Sequence, residues 1–158
     1  MKRYYTDWKT ISVTILIGLA IILFGLYSTT QENGHQDAFL NAALIAIIPI
    51  VFGILLATKF SYAEISGTTL KFVYLLFYRR NIDIDSITEI NDQPTYKAGK
   101  NLFRSLYIFY KEKGEKKYIE LRITIFPEKT LGRLIKDLKV VNSNIELNDY
   151  SEKLIKKA

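Results

Sequence analysis

The chain has 158 residues, with no cysteine, one histidine, one tryptophan and three prolines. Without cysteine there is no disulfide framework, no thiolate zinc site and no thiol nucleophile. That absence fits any compartment. The single histidine, His35, lies in the polar stretch "STTQENGHQD" and leaves little for histidine-based catalysis or metal binding. No metal and no cofactor is expected, and an enzyme is not expected either.

Charge is also missing, in two long blocks. Thr10–Tyr27 holds 18 uncharged residues and Ala38–Thr58 holds 21. As helices, 18 residues reach ~27 Å, close to a hydrocarbon core of about 30 Å. Two spanning helices, about 10–27 and 38–58, are therefore expected, joined by the short polar loop. Tyr4, Tyr5, Trp8 and Tyr27 flank the first, where amphipathic aromatics favour the interface. A cleaved leader is not expected, because no A-x-A-like site follows and the apolar run is long for one. The loop Ser28–Asp37 has no Lys or Arg, whereas Lys2, Arg3, Lys9 and Lys59 flank the helices. Positive flanks stay inside, so both termini should be cytoplasmic in a two-pass cell-membrane protein. Small residues (Thr14, Gly18, Gly25; Ala42, Ala46, Gly53, Ala57) mark faces that pack within the hairpin. Such stripes also suit a homodimer, which is the less favoured use of them. No Asp, Glu, Lys or Arg lies inside either span, which argues against a transport pathway.

All of the net charge of +6 falls after residue 57, where 19 Lys and Arg face 13 acids. A shift of charge and hydropathy together marks a domain boundary. The expected organisation is a membrane hairpin over 1–58, a cytoplasmic domain over 59–148 and a polar tail over 149–158. In the second part the period becomes strand-like. "FSYAEISGTTLKFVY" makes a hairpin about Ser66-Gly67-Thr68, and "SLYIFYKEKGEKKYIELRIT" a second one turning at Lys113-Gly114. Ile82 and Ile84 alternate with Asn81, Asp83 and Asp85. Leu106, Ile108 and Tyr110 alternate in the second hairpin. Pro127 then opens a helix whose stripe is Leu131, Leu134, Ile135 and Leu138, ending near Val141.

A membrane hairpin followed by "YAEISGTTLKF", "RRNIDIDSITEI", "FRSLYIFY" and "IFPEKTLGRLIKDLKVVNSNIEL" resembles the bacterial pleckstrin-homology-like proteins of the YyaB type. The resemblance covers nearly the whole chain and rests on packing patterns. It implies an α+β domain, a bent antiparallel sheet or barrel capped by a C-terminal helix, and it implies no activity. The stretch "DQPTYKAGKNLF" is more basic and less Pro-rich than the loop that family has there.

The candidate contact residues are Leu75, Leu76, Phe77, Arg79, Arg80, Lys116 and Lys117. "LKFVYLLFYRRN" is too short for a third crossing and would place the basic domain outside. Two placements of Leu75–Phe77 remain open. The default is a core face of longer strands, since buried strands are the usual source of apolar runs. The other is an apolar tip that meets the inner leaflet or a partner groove, backed by Arg79-Arg80. Lys116 and Lys117 lie beside the Lys113-Gly114 turn, where Glu112 and Glu115 dilute the charge. In eukaryotic pleckstrin-homology domains, basic residues near early hairpins bind phosphoinositides, but mixed signs usually mark solvated surface. Asp83, Asp85, Glu89 and Asp92 read as the solvent face of a strand, because a catalytic site needs converging partners. Basic charge beside a membrane explains the pI of 9.4 without nucleic acid. The expected function is binding, to the lipid bilayer surface or to a protein partner. The alternative is self-protection against a membrane-active peptide of the bacteriocin type.

Overall fold

The computed structural model describes residues 1–32, 49–53, 59–74, 77–98 and 101–158. For positions 10, 14, 21, 22, 25, 26, 28–32, 95–98 and 101–103 it describes the backbone alone. The fold is α+β, with two sheets and helices at the C-terminal end.

The first sheet has the order β1-β2-β3-β4, antiparallel throughout. Its first strand, β1 (Lys2–Tyr5), precedes the 25-residue helix α1 (Trp8–Glu32). The chain returns to the same sheet in β2 (Tyr62–Ser66), whose register places Tyr62 opposite Tyr5. β3 (Thr69–Tyr74) follows a two-residue turn that begins at Gly67, φ +59°, a conformation glycine adopts without a Cβ penalty. β4 (Tyr78–Asp83) completes the sheet. Residues 49–53 are helical.

A single 3-10 turn over Ile84–Ser86 leads into the second sheet. The Asp83 carboxylate accepts from the Asp85 N–H at its start. Ile84 is fully buried there, so its alternation with Ile82 survives although the strand has ended. The second sheet has the order β7-β6-β5-β8. β5 (Ile87–Ala98) and β6 (Asn101–Glu112) form a long hairpin, and β7 (Glu115–Arg122) pairs with β6. Much of "DQPTYKAGKNLF" is thus strand rather than loop. Pro94 lies at an irregularity in β5, as expected of a residue that cannot donate to a ladder.

The inward faces of both sheets close on α2 (Glu128–Val141). Its three stripe leucines and Ile135 are fully buried, with Phe126, Ile90, Leu106, Ile108 and Leu121 around them. After α2 the buried Asn142 donates from Nδ2 to the Ile84 and Ile87 carbonyls at 2.9 and 3.2 Å. That bond explains the "NSN" stop. A short strand, β8 (Glu146–Leu147), runs parallel to β5.

The ending expected as a polar tail is a helix, α3 (Asp149–Lys156). Asn148 caps it by accepting from the Ser151 N–H at 3.0 Å. Ser151 Oγ donates to the Ile90 carbonyl at 3.1 Å, and Leu154 is fully buried. Gly132 of α2 marks the helix crossing: a Cβ added there would lie 2.1 Å from the Leu154 carbonyl oxygen. Charge at half of its positions hides this helix, because its burial comes from one small contact face.

Candidate functional site

Four residues in register across the first sheet, Tyr5, Tyr62, Val73 and Arg79, define one of its ends. The chain enters α1 just beyond Tyr5 and comes back just before Tyr62. On the far side, Tyr74 pairs with Tyr78, and Phe77 lies in the connection beyond them. With about 4.8 Å between strands, the Phe77 tip stands roughly 14 Å to the side of the helix start, at the same end of the sheet.

Phe77 is 91% exposed. A core position is therefore excluded for this residue, whereas Leu75 and Leu76 lie outside the described residues. Next to it, Tyr78, Arg79 and Arg80 are all exposed. The Arg80 guanidinium stacks over the Tyr78 ring, 5.5 Å from its centroid, and its Nε donates to the Tyr78 hydroxyl at 3.4 Å. This bond to Tyr78, with nearby acidic groups, pushes the Arg80 guanidinium further up. Arginine stays charged in any case.

Groups at the two ends of β7 act electrostatically on β3 and β4. At one extreme Glu112, just before β7, interacts with Arg80. Arg122, at the end of β7, acts on Tyr74. Beyond it, the Ile125 carbonyl accepts from the Asp7 N–H at 2.9 Å, tying the start of α1 to the turn that follows β7. Lys117 Nζ donates to Glu112 Oε2 at 2.6 Å, and that bond, helped by Arg80 and Lys113, holds the Glu112 carboxyl low. Lys116 points the other way, onto the outer face of the second sheet. It donates to Glu89 Oε2 at 2.9 Å and lies 4.4 Å from the Phe109 ring centroid. Of the sequence-predicted contacts, Phe77, Arg79 and Arg80 are exposed at the start of β4, Lys117 and Arg80 both act on the Glu112 carboxylate, and Lys116 lies elsewhere.

The acidic residues disperse. Asp83 caps the 3-10 turn, Glu89 is bound to Lys116, and Asp92 is bound to Arg104 and to Asn148 at 2.7 Å. Among the described residues no group of His, Cys, Asp and Glu could hold a metal.

Sequence reasoning missed the residues at the base of α1. Arg3, Tyr5, Trp8, Lys9, Lys59, Phe60 and Tyr62 border one cavity of about 610 Å3. The cue was their flanking of an uncharged run, but β1 had to be recognised as a strand to bring them together. Along α1 the described apolar side chains Val13, Leu16, Ile17 and Phe24 are exposed. Taken over the described residues alone, no helix is long and apolar enough to cross a membrane. The side chains of positions 10, 14, 21, 22, 25 and 26 of α1 lie outside that set. Comparison of the chain with protein-family models, with curated proteins and with solved structures brings no match.

Proposed function

We propose that the chain is a membrane-anchored, pleckstrin-homology-like binding domain that docks on the inner leaflet through the Phe77 end of its first sheet. The carrying observation is placement: Phe77, exposed, shares a sheet end with the start of α1. Any bilayer crossed by α1 lies on that side of the domain. Support for the anchor comes from the 25 residues of α1, about 37 Å long, and from the uncharged run Thr10–Tyr27. Support for the domain class comes from two antiparallel meanders closed by α2, which is the arrangement the resemblance implies. Insertion of Phe77 contributes about 1.5–3 kcal/mol and each adjacent arginine about 1 kcal/mol on an anionic surface. For a tethered domain those terms suffice.

The natural chain has no cysteine, so single labels are clean. A cysteine at position 35 should be labelled from outside intact cells, and one at position 77 should carry an environment-sensitive dye. In bilayer nanodiscs the dye at 77 should be quenched by lipids brominated near the glycerol backbone. Incorporation into nanodiscs with the dye still in water would overturn leaflet docking and leave a protein partner as the target of this end.

A further inference from the structure

The cavity at the base of α1 has no role in the docking described above, yet its chemistry is defined. Trp8 and Phe60 are 37% and 47% exposed and form apolar walls. Arg3 is already engaged: it is bonded to Glu64 and lies 5.3 Å over the Tyr62 ring, so it forms a fixed cationic floor. Lys9 and Lys59 are different. Among the described residues neither has a salt-bridge partner. Lys59 Nζ instead stands 5.2 Å from the Trp8 ring centroid. Asp7 is the one carboxylate in the lining, against these two ammonium groups. The cavity volume falls in the range of small-ligand sites.

We infer that this cavity is a binding site for the headgroup of an anionic phospholipid, its phosphate held by Lys9 and Lys59 and its glycerol region set against Trp8 and Phe60. Charge complementarity selects an anion, and the aromatic walls select one that carries an apolar tail. Position selects lipid over a free solute: the cavity opens where the chain passes into α1 and where it returns. The inference rests on the reading that α1 crosses the bilayer, but it names a site that is separate from the Phe77 tip.

Trp8 is the only tryptophan of the chain, so fluorescence excited selectively at tryptophan, beyond the absorption of the tyrosines, reports on this cavity. The full chain, in nanodiscs of phosphatidylcholine containing a minor fraction of brominated lipid, supplies the test. Brominated phosphatidylglycerol should quench Trp8 at least about five-fold more effectively than brominated phosphatidylcholine, the factor one basic residue contributes beside an anionic headgroup. Lys9→Gln/Lys59→Gln should bring the ratio close to one, and Phe77→Asp should leave it unchanged. Equal quenching by the two lipids in the natural chain would overturn the site while leaving the anchor standing. Failure of the chain to enter nanodiscs would overturn the anchor and the site together. Soluble glycerol phosphate that abolishes the selectivity at millimolar concentration would make this a free-phosphate site and overturn the lipid assignment.

Discussion

Tyr5 and Tyr62 face each other across β1 and β2, ring centroids 6.2 Å apart, with residues 6–61 between them. The long α1 segment is therefore an insertion between two neighbouring strands rather than a preface to the domain. A cut at Thr58 removes an edge strand together with its bonds to α2. That truncation should lose at least about 3 kcal/mol, since Tyr4 is buried and its hydroxyl is bonded. A chain in which Asn-Gly replaces residues 6–61 should keep a cooperative melt. Circular dichroism of both forms decides it; a cooperative, undiminished melt of the truncated form would show that β1 is dispensable.

Asp137 of α2 holds β1 in place. It accepts from Lys2 Nζ at 2.7 Å and from the Tyr4 hydroxyl. Burial pushes its carboxyl up, but the bonds from Lys2 and Tyr4 outweigh that and hold it below its ordinary value. Asp137→Ala should cost about 2 kcal/mol by leaving the Tyr4 hydroxyl unpaired. Hydrogen exchange should show the loss first in residues 2–5.

Glu128 ties α3 to α2 by accepting from Lys157 at 2.7 Å and Tyr150 at 3.1 Å. The Lys157 bond leads in lowering its carboxyl below the ordinary 4.5. A lowered carboxyl stabilises the fold fully above 4.5, and that contribution is lost as pH falls through the lowered value. The stability gap between natural chain and Lys157→Gln, no more than about 1 kcal/mol for so exposed a pair, should close in acid. Tyr150 acts on the alkaline side. Burial first, and the Glu128 bond second, push it up to about 12, so its contribution is full below 10.0 and is lost as pH rises to about 12.

Gly132→Ala forces a methyl group into the Leu154 carbonyl. Backbone cannot give way as a side-chain end can, so the cost should be about 1–3 kcal/mol. The separation of α3 from α2 should appear as faster amide exchange over 149–156.

Lys113 stands at φ +53°, followed by Gly114 at +84°. A two-residue turn with both φ positive prefers Asn-Gly. Lys113→Asn should raise stability by up to about 1 kcal/mol, measured by denaturant midpoint at constant m-value.

Phe77→Asp should change stability by less than about 0.5 kcal/mol, because the side chain touches water. A larger loss would mean that the residue packs in the core after all.

Elements with a strong local period were legible. Leu106, Ile108 and Tyr110 alternate inward, and Leu131, Leu134, Ile135 and Leu138 line one helix face, because a single buried face imposes its own spacing on the residues beneath it. Gly67 and Gly114 marked two of the hairpin turns, since positive φ narrows the choice of residue. β1 was not legible: four residues carry no period of their own, and their partner lies beyond residues 6–61. For α3 the signals were an Asn cap and one buried leucine, and its close approach to α2 depends on the gap that Gly132 leaves.

The sequence by itself determined which residues are uncharged over long runs, which faces are apolar and where the turns fall. Those are properties of neighbours along the chain. Only the tertiary structure decided that Phe77 is exposed, that Arg80 and Lys117 act on the same Glu112 carboxylate, that Lys116 points elsewhere, and that Trp8, Lys9 and Lys59 border one cavity. Register across strands and the meeting of the two sheets set those distances, and neither is encoded within any one segment.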